Sequence, residues 1–110
     1  MHELDDRVRA ALADRRPVRE VRMFGARCFM VDERLVVGAD KNGDLLVRAD
    51  PERTDKLLDV AGARQAEMGA GRAMSHGWIT VAHPAVASDA DLEFWTGEAL
   101  AHHDAQDGAR

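Results

Sequence analysis

The chain has 110 residues, of which 45% are hydrophobic and 32% charged, and its formal net charge is -5. These values fit one small globular domain and exclude a disordered chain. The apolar runs are too short to cross a membrane, and the start MHELDDRVRA lacks the apolar core of a signal peptide. We therefore expect a cytoplasmic protein with one domain over residues 1–104. Residues 105–110 contain no core residue, and a disordered tail is predicted there.

The uneven distribution of charge bears on nucleic-acid binding. Residues 7–27 contain seven arginines against two acidic residues, although the whole chain is acidic. Binding to phosphates depends on a positive surface that releases counterions, so the net charge disfavours a dedicated nucleic-acid binder. Two alternatives stay open for the basic segment, namely weak DNA binding and a solvated charged face.

The first half of the chain is predicted to form a helix and an antiparallel meander. Apolar residues recur every third or fourth position over Glu3–Asp14, which predicts a helix that ends before Pro17. Four short strands follow: Val18–Phe24, Ala26–Val31, Leu35–Ala39 and Leu45–Ala49. The Asn42-Gly43 pair between the last two strands is favoured where a hairpin needs positive φ. The second strand is apolar on both faces, which is typical of a central, covered strand.

The second half alternates helices and strands. Its elements are a helix from Asp50 to Val60, strands over Arg64–Met68 and Gly77–Val81, and a helix that begins near Ser88. Asp50 is a good N-cap, and Pro51 suits the first helical position. The order of elements is helix, three to four strands, helix, two strands, helix. It predicts an α+β fold in two layers, a mostly antiparallel sheet with helices packed on it.

No motif in the sequence predicts catalysis. Cys28 lies in the middle of a strand beside Arg27 and Phe29, and none of these neighbours is the general base that a nucleophilic thiol needs. It is more typical of a small buried residue, while a ligand pocket or a minor enzymatic activity near Cys28 is the alternative. The histidines lack metal-ligand spacing and there is no second cysteine, so we expect no metal and no cofactor.

Several motifs in order resemble one family. They are Arg22-Met23-Phe24-Gly25, Phe29-Met30-Val31, Leu45-Leu46-Val47-Arg48, Gly71-Arg72-Ala73-Met74 and Gly77-Trp78-Ile79-Thr80-Val81. Together they resemble the TfoX (Sxy) N-terminal domain, and the chain is similar to the short stand-alone members. The resemblance implies a fold like that of type III secretion chaperones. One departure is Asp32-Glu33, which stands where family members often have a glycine-containing turn, so this hairpin must change geometry or accept strain.

The resemblance also implies a non-enzymatic role in regulation or protein interaction. Full-length members regulate competence genes and are thought to act with a transcription factor, and no catalytic residues carry over to this chain. A protein partner is therefore expected, either a transcription factor or a second copy of the chain. We predict an interaction surface formed by Arg22, Phe24, Arg27, Arg72 and Trp78, because it joins arginines to aromatic residues beside a turn and a loop.

Overall fold

Three helices pack on one six-stranded sheet in the computed structural model, which describes residues 3–13, 17–23, 26–40, 42–67 and 77–108. The elements are α1 (Glu3–Ala13), β1 (Arg19–Met23), β2 (Ala26–Val31), β3 (Arg34–Asp40), β4 (Leu45–Arg48), α2 (Thr54–Leu58), β5 (Ala63–Gln65), β6 (Trp78–Val81) and α3 (Asp89–Gly108). Short 3-10 turns over Pro51–Arg53 and His83–Val86 lead into α2 and α3. The predicted α+β class is confirmed.

The sheet is antiparallel and has the strand order β1-β2-β3-β4-β6-β5. The first four strands are consecutive in the chain, as the meander prediction requires. At the β2–β3 turn, Asp32 and Glu33 adopt φ values of 52° and 65°. Positive φ at both central residues is the pattern of a type I′ turn, which glycine and asparagine favour. Asp32 and Glu33 therefore hold a strained backbone conformation, which is one of the two outcomes expected when this turn lacks a glycine.

The core lies between the helices and one face of the sheet. Alternate residues of the central strands point to it and are almost fully buried, namely Phe29, Val37, Ala39, Leu45, Val47, Ile79 and Val81. Each described helix contributes to the same core: α1 with Leu4, Val8 and Leu12, α2 with Leu57, and α3 with Leu92, Trp95, Ala99 and Leu100. The three described helices therefore cover one face of the sheet.

A bulge in β3 breaks the strict alternation of the sheet. Phe29 of β2 pairs with Val37, whereas the next residue, Met30, pairs with Leu35. The extra residue, Val36, is buried like Val37, so two successive side chains of β3 reach the core. Leu35 and Met30 then lie together on the opposite face.

Element bounds differ from the predictions mainly at the helix ends. The Asp50 side chain accepts a hydrogen bond from the Glu52 N–H at 2.9 Å, which confirms the predicted N-cap. The helix after it is shorter than predicted and ends at Leu58. In contrast, α3 continues to Gly108, past the predicted start of a tail at residue 105, because no proline or glycine interrupts residues 98–107.

Candidate interaction surface

The second face of the sheet carries a row of directly opposed residues that crosses all six strands and is small or apolar over its first four. Directly opposed residues of antiparallel strands share a face. The register places one row across the sheet, formed by Val21, Cys28, Gly38, Leu46, Thr80 and Arg64. Met30, Arg48 and Trp78 lie two positions further along their strands on the same side, toward one end of the sheet, and Leu35, three positions from Gly38 because of the bulge, opposes Met30. Among the described residues, no helix packs on this side.

We call this side the open face and define it by five apolar residues: Val21, Met30, Leu35, Leu46 and Trp78. All five side chains are half-buried, whereas their neighbours on the core face are almost fully buried. Contiguous apolar surface of this kind marks contact sites on proteins. The open face is therefore the strongest candidate for an interaction surface in the described part of the chain.

Arg48 lies beside Trp78 at the border of the open face. They are directly opposed on β4 and β6, and the Arg48 guanidinium carbon lies 5.9 Å from the centre of the Trp78 ring. Burial and, secondarily, the positive charge of Arg34 lower the pKa of Arg48 below its ordinary value. This part of the predicted interaction surface is thus an aromatic ring with a half-buried cation beside it.

The predicted residues Arg22 and Arg27 lie at another place, on the face that bears the helices. They are directly opposed on β1 and β2. The Arg27 Nε donates to the buried Asp5 carboxylate of α1 at 3.1 Å, and its Nη1 lies 3.6 Å from a Glu20 oxygen. Arg27 therefore ties α1 to the sheet, while Arg22 is exposed beside it.

The structure does not bring the three described members of the predicted interaction surface, Arg22, Arg27 and Trp78, into one patch. Trp78 lies on the opposite face of the sheet from Arg22 and Arg27, and three strands away from the nearer of them. Phe24 and Arg72 lie outside the described residues.

Acidic side chains pair with several arginines of the basic segment. Arg9 makes a bidentate contact with Glu20 at 2.5 and 2.6 Å and also reaches Asp6 at 2.7 Å. The hydrogen bond from Arg9 is the main cause that lowers the pKa of Glu20. Arg7, Arg19 and Arg27 have carboxylate partners as well. Pairing of this kind reduces the positive charge that the segment could offer to nucleic-acid phosphates.

Cys28 is fully buried within the sheet. A Cβ built on Gly38 of the neighbouring strand would meet the Cys28 sulfur at 3.6 Å, so the two residues are in contact distance. A groove of about 420 Å³ lies on the other layer, between α1 and the start of α3, and is lined by Asp6, Arg7, Ala10, Ala11, Asp89, Leu92 and Glu93. The alternative of a pocket near Cys28 thus gains no support from this groove.

The two histidines of α3 lie near charged groups of the sheet and its turns. The ring of the buried His103 lies 2.9 Å from an Asp32 oxygen in the β2–β3 turn. His102 is half-buried, and burial and then the charge of Arg48 lower its pKa. Within the described ranges, no group of three or more histidine, cysteine, aspartate or glutamate side chains could hold a metal ion.

The fold and the open face together define a small two-layer α+β domain with an apolar contact surface. The chain belongs to the TfoX N-terminal domain family, whose sequence pattern matches residues 10–103. The resemblance predicted from the motifs is therefore confirmed, and the family is not a known enzyme family. No curated protein and no solved structure matches the chain. None of the described helices is both long and apolar enough to cross a membrane.

Sequence reasoning missed Arg48 and His102 as surface residues. Arg48 closes the Leu45–Arg48 motif, and a charged residue after an apolar strand is a weak signal that it lies at the end of the sheet. Its neighbours could not be deduced in the same way. Trp78 and His102 become neighbours of Arg48 only through the β4–β6 register and the path of α3.

Proposed function

We propose that the chain is a non-enzymatic protein-interaction domain that binds a separate protein through the open face, in a regulatory role linked to transcription. One observation carries the proposal: Val21, Met30, Leu35, Leu46 and Trp78 form an apolar surface that no described helix covers. Apolar side chains on both faces are typical of a sheet that is covered on both faces.

Charge at the border of the open face favours a separate partner with acidic character. Arg48 is the cation beside Trp78, and it has no ion pair with a carboxylate within the described ranges. Arg64 and Arg19, further out on the same side, pair with Asp44 and Glu33. A partner that places apolar side chains on the open face and a negative charge near its border complements this surface.

The test changes the open face and compares it with a matched exposed site. Leu46→Asp places a charge in the centre of the face, whereas Val60→Asp places one on an exposed turn after α2. Purified wild-type and variant proteins serve as baits in extract from the source cells. We expect Val60→Asp to retain the proteins captured by wild type and Leu46→Asp to lose them, with both variants folded by circular dichroism.

Photo-crosslinking locates the contact directly. A benzophenone amino acid at Met30 reports on the open face, and the same group at Phe94 reports on the helical layer, where that ring is 44% exposed. We expect adducts with a captured protein from position 30 and none from position 94. Adducts from position 94 alone, or an unchanged set of captured proteins for Leu46→Asp, would refute the proposal. Adducts only between copies of the chain would replace the separate partner by a homodimer.

A further inference from the structure

A cluster of basic side chains lies at one end of the sheet, where β3 begins, β4 ends and β6 begins. Arg34 is the first residue of β3, Arg48 the last of β4 and Trp78 the first of β6. Because neighbouring strands are antiparallel, these three positions meet at the same end. Arg34, which opposes the core residue Val31, and His102 of α3 approach this end from the helical side of the sheet, and the charge of Arg48 acts on the His102 ring.

Within the described ranges, the Arg48 guanidinium has no ion pair with a carboxylate. Its guanidinium faces the Trp78 ring at 5.9 Å and is half-buried. Three carboxylates of the same region have other partners: Asp32 lies against the ring of His103, Glu33 pairs with Arg19, and Asp50 accepts from the Glu52 N–H. A half-buried charge without a counter-charge is unfavourable unless a ligand supplies one.

The electrostatics of the cluster agree with a missing anion. Burial lowers the pKa of Arg48, and the charge of Arg34 lowers it further. Burial and the charges of Arg48 and His103 lower the pKa of His102, while Asp50 acts in the opposite direction. An anion bound here would favour the protonated form of each group.

We propose that Arg48, with Arg34 and His102 beside it, binds a carboxylate of the partner protein while an adjoining apolar side chain of the partner packs on Trp78. The inference rests on the proposed function, because the cluster borders the open face. A guanidinium can hold a carboxylate by two parallel hydrogen bonds. The aromatic ring beside it provides an apolar contact for the residue that carries or adjoins the carboxylate.

The surroundings favour a carboxylate over a phosphate dianion. Sites for phosphate commonly use backbone N–H groups at a helix N-terminus. This end of the sheet instead faces the carboxy-terminal half of α3, which carries His102 and His103, and the charge of Asp50 acts there too. The negative charge of Asp50 also repels a dianion more strongly than a monoanion.

Hexanoate is the probe, because it joins one carboxylate to a short apolar chain. We follow the Arg48 Nε–H and Trp78 indole N–H signals by proton–nitrogen NMR during a titration. Saturable shifts with a dissociation constant in the millimolar range are expected, together with a rise in the pKa of His102, since a bound anion favours its protonated form. Hexanamide and inorganic phosphate should bind at least about tenfold more weakly, because hexanamide lacks the negative charge and phosphate lacks the apolar chain.

Variants at Arg48 test its role, with Arg64→Met as the matched control. Arg64 is an exposed arginine on the same side of the sheet, so its replacement removes a charge without touching the cluster. We expect Arg48→Met to weaken hexanoate binding by about tenfold or more, Arg48→Lys to restore part of it, and Arg64→Met to change it by less than about twofold. Circular dichroism and tryptophan fluorescence verify that each variant is folded.

Three results would overturn the inference: equal binding of hexanamide, tighter binding of phosphate, or unchanged hexanoate binding by a folded Arg48→Met variant. Its failure can be told apart from failure of the proposed function. If hexanoate does not bind but Leu46→Asp still abolishes capture, only the carboxylate site is wrong. If hexanoate binds as expected while Leu46→Asp captures the same proteins as wild type, the site exists but does not serve the proposed interface.

Discussion

Replacing Gly62 by alanine should destabilise the fold through two separable effects. Gly62 has a φ of +88°, a conformation that costs a residue with a side chain about 1–2 kcal/mol. A Cβ at this position would also lie 2.4 Å from the Ala85 Cβ, well inside contact distance. Relief of such an overlap costs about 1–3 kcal/mol. Since the Gly62 carbonyl accepts a hydrogen bond from Ala82, the backbone cannot move away freely. We expect a loss of about 3 kcal/mol in the free energy of unfolding.

Urea denaturation followed by tryptophan fluorescence measures this loss, since Trp95 is only 1% exposed in the fold. Gly43→Ala is the matched control, because Gly43 has a similar φ of +84° but its nearest neighbour is the exposed His83 ring at 3.2 Å. Gly43→Ala should cost only the backbone part, about 1–2 kcal/mol. Adding Ala85→Gly to the Gly62 variant should recover the overlap part. Equal losses for the Gly43 and Gly62 variants would refute the reasoning.

Three further predictions concern the turn, the edge of the sheet and the thiol. Glu33→Gly should raise the free energy of unfolding by about 0.5 kcal/mol in urea melts, because relief of a φ of 65° outweighs the loss of an exposed ion pair with Arg19; a loss of stability would contradict it. The hydrogen bond from Arg9 lowers the pKa of Glu20 from 4.5. The stabilisation that this hydrogen bond gives the fold is therefore complete above pH 4.5 and is lost as pH falls through the lower pKa of the folded state. The free energies of unfolding of Glu20→Gln and wild type should therefore differ at neutral pH and converge as pH falls through the lowered pKa of Glu20, and a difference independent of pH would contradict this. Cys28 should react with iodoacetamide at least about a hundredfold more slowly in the folded protein than in denaturant, since it is fully buried, and rapid native labelling would revive the reactive-thiol alternative.

Local patterns of the sequence were enough to predict most of the fold. The Asn42-Gly43 turn, the Asp50 N-cap and the apolar spacing of the helices are local features that report local geometry. The class follows because short strands joined by tight turns pair with their neighbours in the chain. The β3 bulge at Val36 has no such signal, since two adjacent valines also suit an ordinary buried strand.

The candidate site was predicted less well, because it depends on register between distant segments. Trp78 was predicted as an interaction residue and lies on the open face, but its neighbour Arg48 follows only from the pairing of β4 with β6. Arg27 shows the converse problem. Beside a turn it resembles a contact residue, yet the fold places the buried Asp5 of α1 against it. Charge patterns alone do not distinguish an arginine that binds a partner from one that fastens a helix.

The strand order also determines which parts of the sheet close early during folding. Pairing of β1 through β4 involves consecutive strands, so each hairpin closes only a short loop and loses little chain entropy. The segment between β4 and β6 contains α2 and β5, so pairing of β4 with β6 closes a longer loop. β5 in turn pairs with β6. When two strands are distant in the chain, their pairing loses chain entropy before the stabilising contacts form. We therefore expect β1 to β4 to pair first. The end of the open face that contains Arg48 and Trp78 is completed later, when β6 pairs with β4.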